Sequence, residues 1–233
     1  MRGSETKMNR FVVDASSLIS LSGSCLVKLL RNFSESADIA FHIPQSVYYE
    51  SVERPIKIRR FELNAVRIKD AVDSGYLHVE RKSPEITSLT HELEMSGNCM
   101  NYADGRPIKL IQLGETESLA LARTLKARVV VIDERTTRML VEDAYALQRF
   151  LENRYGRNIS INKPALSRFH SLTQGVNFIR SSELVALAYE NNLFEPELQH
   201  TKQALEAALY AVKFGGCAVS MREIDTYIKG VQQ

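Results

Sequence analysis

The sequence predicts an α/β protein, a three-layer α/β/α arrangement with a mostly parallel central sheet and a C-terminal helical extension. Short apolar runs bounded by turn or polar residues, such as FVV at 11–13 and VVVI at 129–132, read as buried strands. Segments with apolar residues at helical spacing lie between them. Alternation of the two patterns up to about residue 163 is the signature of parallel strands joined by helices that cover both faces of the sheet.

Taken in order, 11–13 is the first strand, and 16–33 supports one helix with Leu18, Ile19, Leu26, Leu29 and Leu30 as its apolar set. IAFHIP (39–44) is a second strand, with Pro44 suited to open the helix continued by QSVYYESVER. ELNAVRIKDAVDSG predicts a helix ending at Gly75, YLHVER a third strand, and SPEITSLTHELEMSG a helix capped by Ser83 and stopped by Gly97. GETESLALARTLKA (114–127) has the acidic first turn and the Ala/Leu body of a helix lying close on a sheet. RVVVID is a central strand, a helix follows from about Thr136 to Asn153, and NISIN reads as a last short strand. Beyond Pro164 the texture becomes helical, with a capping box from Ser220 to Glu223. The expected division is a core at 9–163 and a helical extension at 164–233 that packs on the core or on a partner.

The 233 residues are 44% hydrophobic and 25% charged with a net charge of +2, ordinary globular values that exclude wholesale disorder and a uniformly polyanion-trapping surface. A local basic run, RPIKIRR at 54–60, stands out, with a solvated, salt-bridged surface as its simpler reading. Cys25, Cys99 and Cys217 are odd in number and form no CxxC pair, which argues against a disulfide framework or a zinc knuckle. The five histidines show no ligand spacing. No apolar stretch is long enough to span a membrane and no signal peptide is evident, so the expectation is a cytoplasmic protein. MRGS reads as an added leader, with Met8 as a natural start.

Two strands end on acids, Asp14 and Asp133, and in an open parallel sheet the carboxyl ends of strands face one crevice. Glu50 and Glu115 reach the same edge from the starts of helices. Converging carboxylates repel unless a cation sits among them, and hard oxygen donors without His or Cys suit Mg2+ or Mn2+. Taken singly, each acid has a simpler reading: Asp14 and Asp133 as helix N-caps, Glu115 as complement to a helix dipole, Glu50 as part of a solvated face.

VVDASSLI, IPQSVYYE, LGETESLALA and VVVIDERTTR together resemble the PIN-domain nucleases, metal-dependent ribonucleases that include the VapC-type toxins of toxin–antitoxin pairs, over roughly 9–163. The resemblance implies catalytic roles for Asp14, Glu50, Glu115 and Asp133. It implies Asp14, Glu115 and Asp133 as metal ligands, with Glu117 competing with Glu115, and Ser16 as the small hydroxyl that follows the first acid. Arg135 and Arg138, directly after Asp133, become candidates for substrate phosphate, and Tyr48 and Tyr49 for stacking on bases, one of the two being core. The chain has Glu where the family usually has Asp, and Ile132 near a usual threonine. The expected function is a metal-dependent endoribonuclease acting on single-stranded RNA, as a toxin with an antitoxin partner or as an RNA-processing enzyme, and commonly a homodimer. An inactive PIN-type RNA-binding or protein-interaction module is the alternative.

Overall fold

The computed structural model describes residues 9–230, so the leader reading of residues 1–7 and Met8 falls outside the described residues. The elements in chain order are β1 (Asn9–Val13), α1 (Ala15–Gly23), α2 (Leu29–Ala37), β2 (Ile39–Pro44), α3 (Gln45–Tyr48), α4 (Arg59–Asp73), β3 (Leu77–Glu80) and α5 (Pro84–Asn98). They continue with β4 (Asn101–Ala103), β5 (Arg106–Pro107), α6 (Leu113–Leu125), β6 (Val129–Val131), α7 (Arg135–Glu142), α8 (Ala144–Tyr155) and β7 (Ile159–Ile161). The chain then forms α9 (Lys163–Thr173), β8 (Asn177–Ile179), α10 (Ser181–Glu190), α11 (Lys202–Phe214) and α12 (Met221–Gly230). Between α3 and α4 lies a π-helical turn, Tyr49–Glu53, followed by a short 3-10 turn, Pro55–Lys57.

Five parallel strands form the central sheet in the order β3-β2-β1-β6-β8. Successive residues on a strand face opposite sides. Val13, Phe41, Ile43 and Val131 therefore enter one core with α1, α2, α10 and α11. Val12, Val130 and Ile132 enter the other with α5, α6, α8 and α9. This is the three-layer α/β/α architecture that the alternating patterns predict. Leu119, Ala120, Leu121 and Ala122 of α6 are all buried, as expected of an Ala/Leu body lying close on the sheet.

Several elements differ from the sequence expectation, each for a local reason. The helix expected over 16–33 is two helices, because Ser22, Gly23 and Ser24 are weak helix formers and Cys25 adopts a left-handed φ of 61°. The helix expected to run to Asn153 breaks at Asp143, which leaves the helical region at φ −155° and caps α8 by accepting from the Ala146 amide at 2.8 Å. Gly97 does not stop α5. It lies inside the helix, where a Cβ would come within 3.0 Å of Ile111 and 3.1 Å of Phe169.

NISIN becomes β7, but it pairs antiparallel with β4 in a separate three-stranded sheet ordered β5-β4-β7. The fifth strand of the main sheet is β8, in a region that reads as helical from sequence. The capping box at α12 is present, with the Ser220 amide on Glu223 Oε2 at 2.8 Å and the Glu223 amide on Ser220 Oγ at 3.2 Å. The segment after residue 163 thus contributes an edge strand to the sheet, and α10 and α11 to its core. No helix among the described residues is long and apolar enough to cross a membrane, and all three cysteines are free.

Because Asp143 satisfies an otherwise open amide at the start of α8, Asp143→Ala lowers the unfolding free energy by about 1 kcal/mol. Denaturant midpoints of the two chains, compared at equal m-value, measure the loss.

Candidate carboxylate site

Strand register fixes the floor of the site. Val13 of β1 lies opposite Val131 of β6, which lies opposite Ile179 of β8. Asp14, Asp133 and Ser181 follow those residues, so all three emerge at the same carboxyl edge. The Asp14 amide donates to Val131 O at 2.9 Å and the Ile132 amide to Ile179 O at 2.9 Å, which extends the ladder to the site itself.

Asp14, 3% exposed, is both cap and site residue. Its Oδ2 accepts from the Ser16 amide at 3.1 Å and the Ser16 hydroxyl at 2.8 Å, while Ser16 Oγ accepts from the Asp133 amide at 3.2 Å. Ser16 therefore ties the two strand-end acids together. Burial pushes the Asp14 carboxyl above the ordinary aspartate range, the bonds from Ser16 oppose this, and the charge of Asp133 adds to it.

Asp133, 1% exposed, does not cap the helix that follows it. Glu134 does, accepting from the Thr137 amide at 2.6 Å. Asp133 instead accepts from Ser181 twice, at Oδ1 from the amide and at Oδ2 from the hydroxyl, both at 2.7 Å. It anchors the start of α10, a partner that lies 48 residues downstream.

Glu115 and Glu117 are both buried in α6 and face different neighbours, as residues two apart on a helix must. Glu115 Oε2 accepts from the Gln112 amide at 2.7 Å in a capping box. Burial raises its carboxyl to about 8, against the Gln112 bond and with the help of the Asp14 and Glu134 charges. Glu117 Oε1 pairs with Lys82 Nζ at 2.7 Å. Lys82 follows the end of β3 and has no sequence mark beyond its charge.

Glu50 stands exposed at the mouth of the site on the π-helical turn, a wide turn of the kind that recurs at functional positions. Its carboxylate lies over the start of α6, where a Cβ at Gly114 would meet Glu50 Oε2 at 3.0 Å. Desolvation raises the Glu50 carboxyl, as do the charges of Asp14 and Glu117, and Arg54 opposes them. The two tyrosines beside it divide as expected: Tyr48 packs against the core and Tyr49 is exposed.

Asp14 is therefore the common neighbour: it feels the charge of Asp133, and both Glu50 and Glu115 feel the charge of Asp14. Arg135 and Arg138 are turned to other partners. The Arg135 guanidinium lies 4.7 Å from the centre of the Phe150 ring, and Arg138 Nη2 is 3.7 Å from Glu142. With Arg180 they line a cavity of about 540 Å3 beside α12, and none of the five acids lines it.

The donor set is all oxygen, which suits a hard divalent cation. As the side chains stand, no three His, Cys, Asp or Glu groups among the described residues close on a common point. The fit lies in the chemistry of the set. Carboxyls on Asp14, Glu50 and Glu115 are all pushed upward, and a cation among them would reverse that shift.

The Glu115 proton has a stability consequence. The folded chain holds that proton up to about pH 8, whereas the unfolded chain sheds it near the ordinary value of 4.5. The stability contributed by this group is full below pH 4.5 and falls as the pH rises to about 8. Thermal midpoints of Glu115→Gln should lose this part of the decline between pH 5 and 8 that wild type shows. Asp133→Asn is expected to cost about 1–3 kcal/mol, because an amide group faces the Ser181 donors that a carboxylate satisfied. Glu50→Gln, at an exposed position, should leave the urea midpoint nearly unchanged.

Neither the comparison with curated proteins nor that with solved structures gives a match. A family model described as PIN domain matches residues 10–145, more than half of the chain, and that span holds all five acids as well as Ser16 and Lys82. The fold, the strand-end acids and this match agree, and the chain belongs to the PIN-domain family.

Proposed function

We propose that this protein is a metal-dependent endoribonuclease that hydrolyses phosphodiester bonds in single-stranded RNA, with Mg2+ or Mn2+ as its ion. The observation that carries the reading is the gathering of acids around Asp14 at the carboxyl edge of the sheet, with the carboxyls of buried Asp14 and Glu115 and of exposed Glu50 all raised. A fold retains such mutual repulsion at a cost in stability, and that cost is characteristic of functional sites.

Asp14 and Glu115 are the residues that would hold the ion, Glu115 through the Oε1 that its capping bond leaves free. Asp133 supports them from the same edge through Ser16. Once bound, the ion offsets the negative charge of the phosphodiester and lowers the pKa of an attacking water. Glu50, at the mouth and with a carboxyl pushed above the ordinary glutamate range, would orient the attacking water and take its proton. Lys82 pairs with Glu117, which limits the net charge an incoming phosphate must meet.

A second reading, an RNA-binding PIN module without activity, is favoured by the engagement of Asp133, Glu115 and Glu117 with Ser181, Gln112 and Lys82. Cleavage of a labelled single-stranded RNA with Mg2+ or Mn2+ separates the two. Wild type should cleave, and Asp14→Asn should lose at least about a hundredfold in rate, the scale of losing a group that stabilises transition-state charge. The fold should survive, since Asn can still accept from the Ser16 amide, and removal of one repelling charge should leave the thermal midpoint equal or higher. Wild type that cleaves no RNA with either ion, and takes up neither, sinks the nuclease reading. The reading covers a toxin as well as an RNA-processing enzyme, and a small co-expressed protein that blocks cleavage would identify the former.

A further inference from the structure

The π-helical turn that carries Glu50 also walls a second cavity, of about 260 Å3, with Glu50 itself in its lining. Its lining includes Ile19, Ile58 and Phe61, and these large apolar side chains remain 41%, 43% and 44% exposed. Such exposure in a concave surface leaves apolar area for a ligand to cover. Polar side chains in its lining are few: Glu50, Ser51, Arg54 and Asn64.

The basic run RPIKIRR wraps this cavity. Arg54 lines it, and Ile58 between Lys57 and Arg59 turns inward to form a wall. Arg60 places its guanidinium 5.5 Å from the centre of the Phe61 ring. Arg54, Lys57 and Arg60 are exposed and make no ion pair among the described residues, while Arg59 pairs with Glu62 at 3.0 Å. The cations of this run are thus all solvated, as its simpler reading has it, but only Arg59 is salt-bridged among the described residues. An aromatic ring with apolar flanks, bordered by unpaired cations and sharing a wall with a candidate hydrolytic site, matches an unpaired base and its phosphates.

We propose that the Ile19–Ile58–Phe61 cavity is a nucleobase subsite that receives one unpaired base of the RNA adjoining the scissile phosphate. Phe61 stacks on the base, Asn64 and Arg54 face its edge and its phosphate, and Lys57 and Arg60 hold the neighbouring backbone. This inference rests on the ribonuclease reading for its substrate, and it assigns that substrate a register: the strand enters over the α3–α4 connection and passes Glu50 before reaching Asp14. The base pocket confers a position at which sequence is sensed, which backbone contacts alone do not supply.

Binding is best measured by fluorescence anisotropy in the Asp14→Asn background with Mg2+ present, using a single-stranded RNA and a set in which each nucleotide in turn is abasic. One abasic position next to the cleavage site should weaken binding about tenfold, the scale of one lost stacking contact. Phe61→Ala should weaken binding of the intact RNA by a similar factor and be insensitive to the abasic change at that position. Phe61→Trp should keep near-parental affinity, while Phe61→Leu, apolar but unable to stack, should behave as the alanine variant. Phe61 is partly exposed, so these variants are expected to fold, and circular dichroism checks it. An abasic scan without a sensitive position, a Phe61→Ala chain that binds RNA as its parent does, or no RNA binding at all overturns the pocket. A Phe61→Ala effect confined to capture of a protein partner overturns it equally. Loss of cleavage in Asp14→Asn with a flat abasic scan removes the pocket alone, whereas a coupled abasic effect in a wild-type chain that never cleaves removes the nuclease reading alone.

Discussion

Charge repulsion within a water-poor edge of the sheet is the constraint to which the surrounding structure responds. Asp14, Glu115, Glu117 and Asp133 are each less than one tenth exposed, and an unpaired buried carboxylate is costly. Each has a different local remedy. Asp14 takes two bonds from Ser16, Glu115 takes the Gln112 amide and keeps its proton to high pH, Glu117 takes Lys82, and Asp133 takes Ser181. The remedies are incomplete at Asp14, Glu50 and Glu115, where the carboxyls stay shifted upward, and that residue of unfavourable energy is what a cation could relieve.

These partners also explain why capping and chemistry are not competing descriptions here. Asp14 caps α1 with one oxygen, and Glu115 caps α6 with one oxygen. A carboxylate has two oxygens and several lone pairs, so an acid held by a cap is also an acid held in place. Capping bonds immobilise the rotamer before any ligand arrives, which is the preorganisation that an electrostatic site needs.

Much of this was legible in the chain. The strands β1, β2 and β6 are short β-branched or aromatic runs, and the acids that follow β1 and β6 mark the edge at which the candidate site lies. The order of Asp14, Glu50, Glu115 and Asp133 was readable because parallel topology brings strand ends together. What escaped was either too short or too distant. The strands β4 and β5 span three and two residues, too few for a periodic signal, although Asp104 and Gly105 between them, both at positive φ, form the Asp-Gly turn that a hairpin favours. Strand β8 is three residues set between two helices. Lys82 and Ser181 lie 35 and 48 residues from their partners in the chain, and no local pattern encodes such a pairing. Asp143 carried the cap signal, but the apolar periodicity on both sides of it suggests one continuous helix.

The bond from Ser181 to Asp133 gives the site a schedule as well as a shape. Synthesis runs from the amino terminus, and Asp133 must wait for 48 more residues before its partner exists. At roughly 5–20 residues per second, that interval is several seconds. Through it, β6 lacks its outer neighbour β8 and the acid at its end lacks both of its donors. Residues 177–181 therefore complete the fold late, and a nascent chain carries all five acids before it can hold them in their final arrangement.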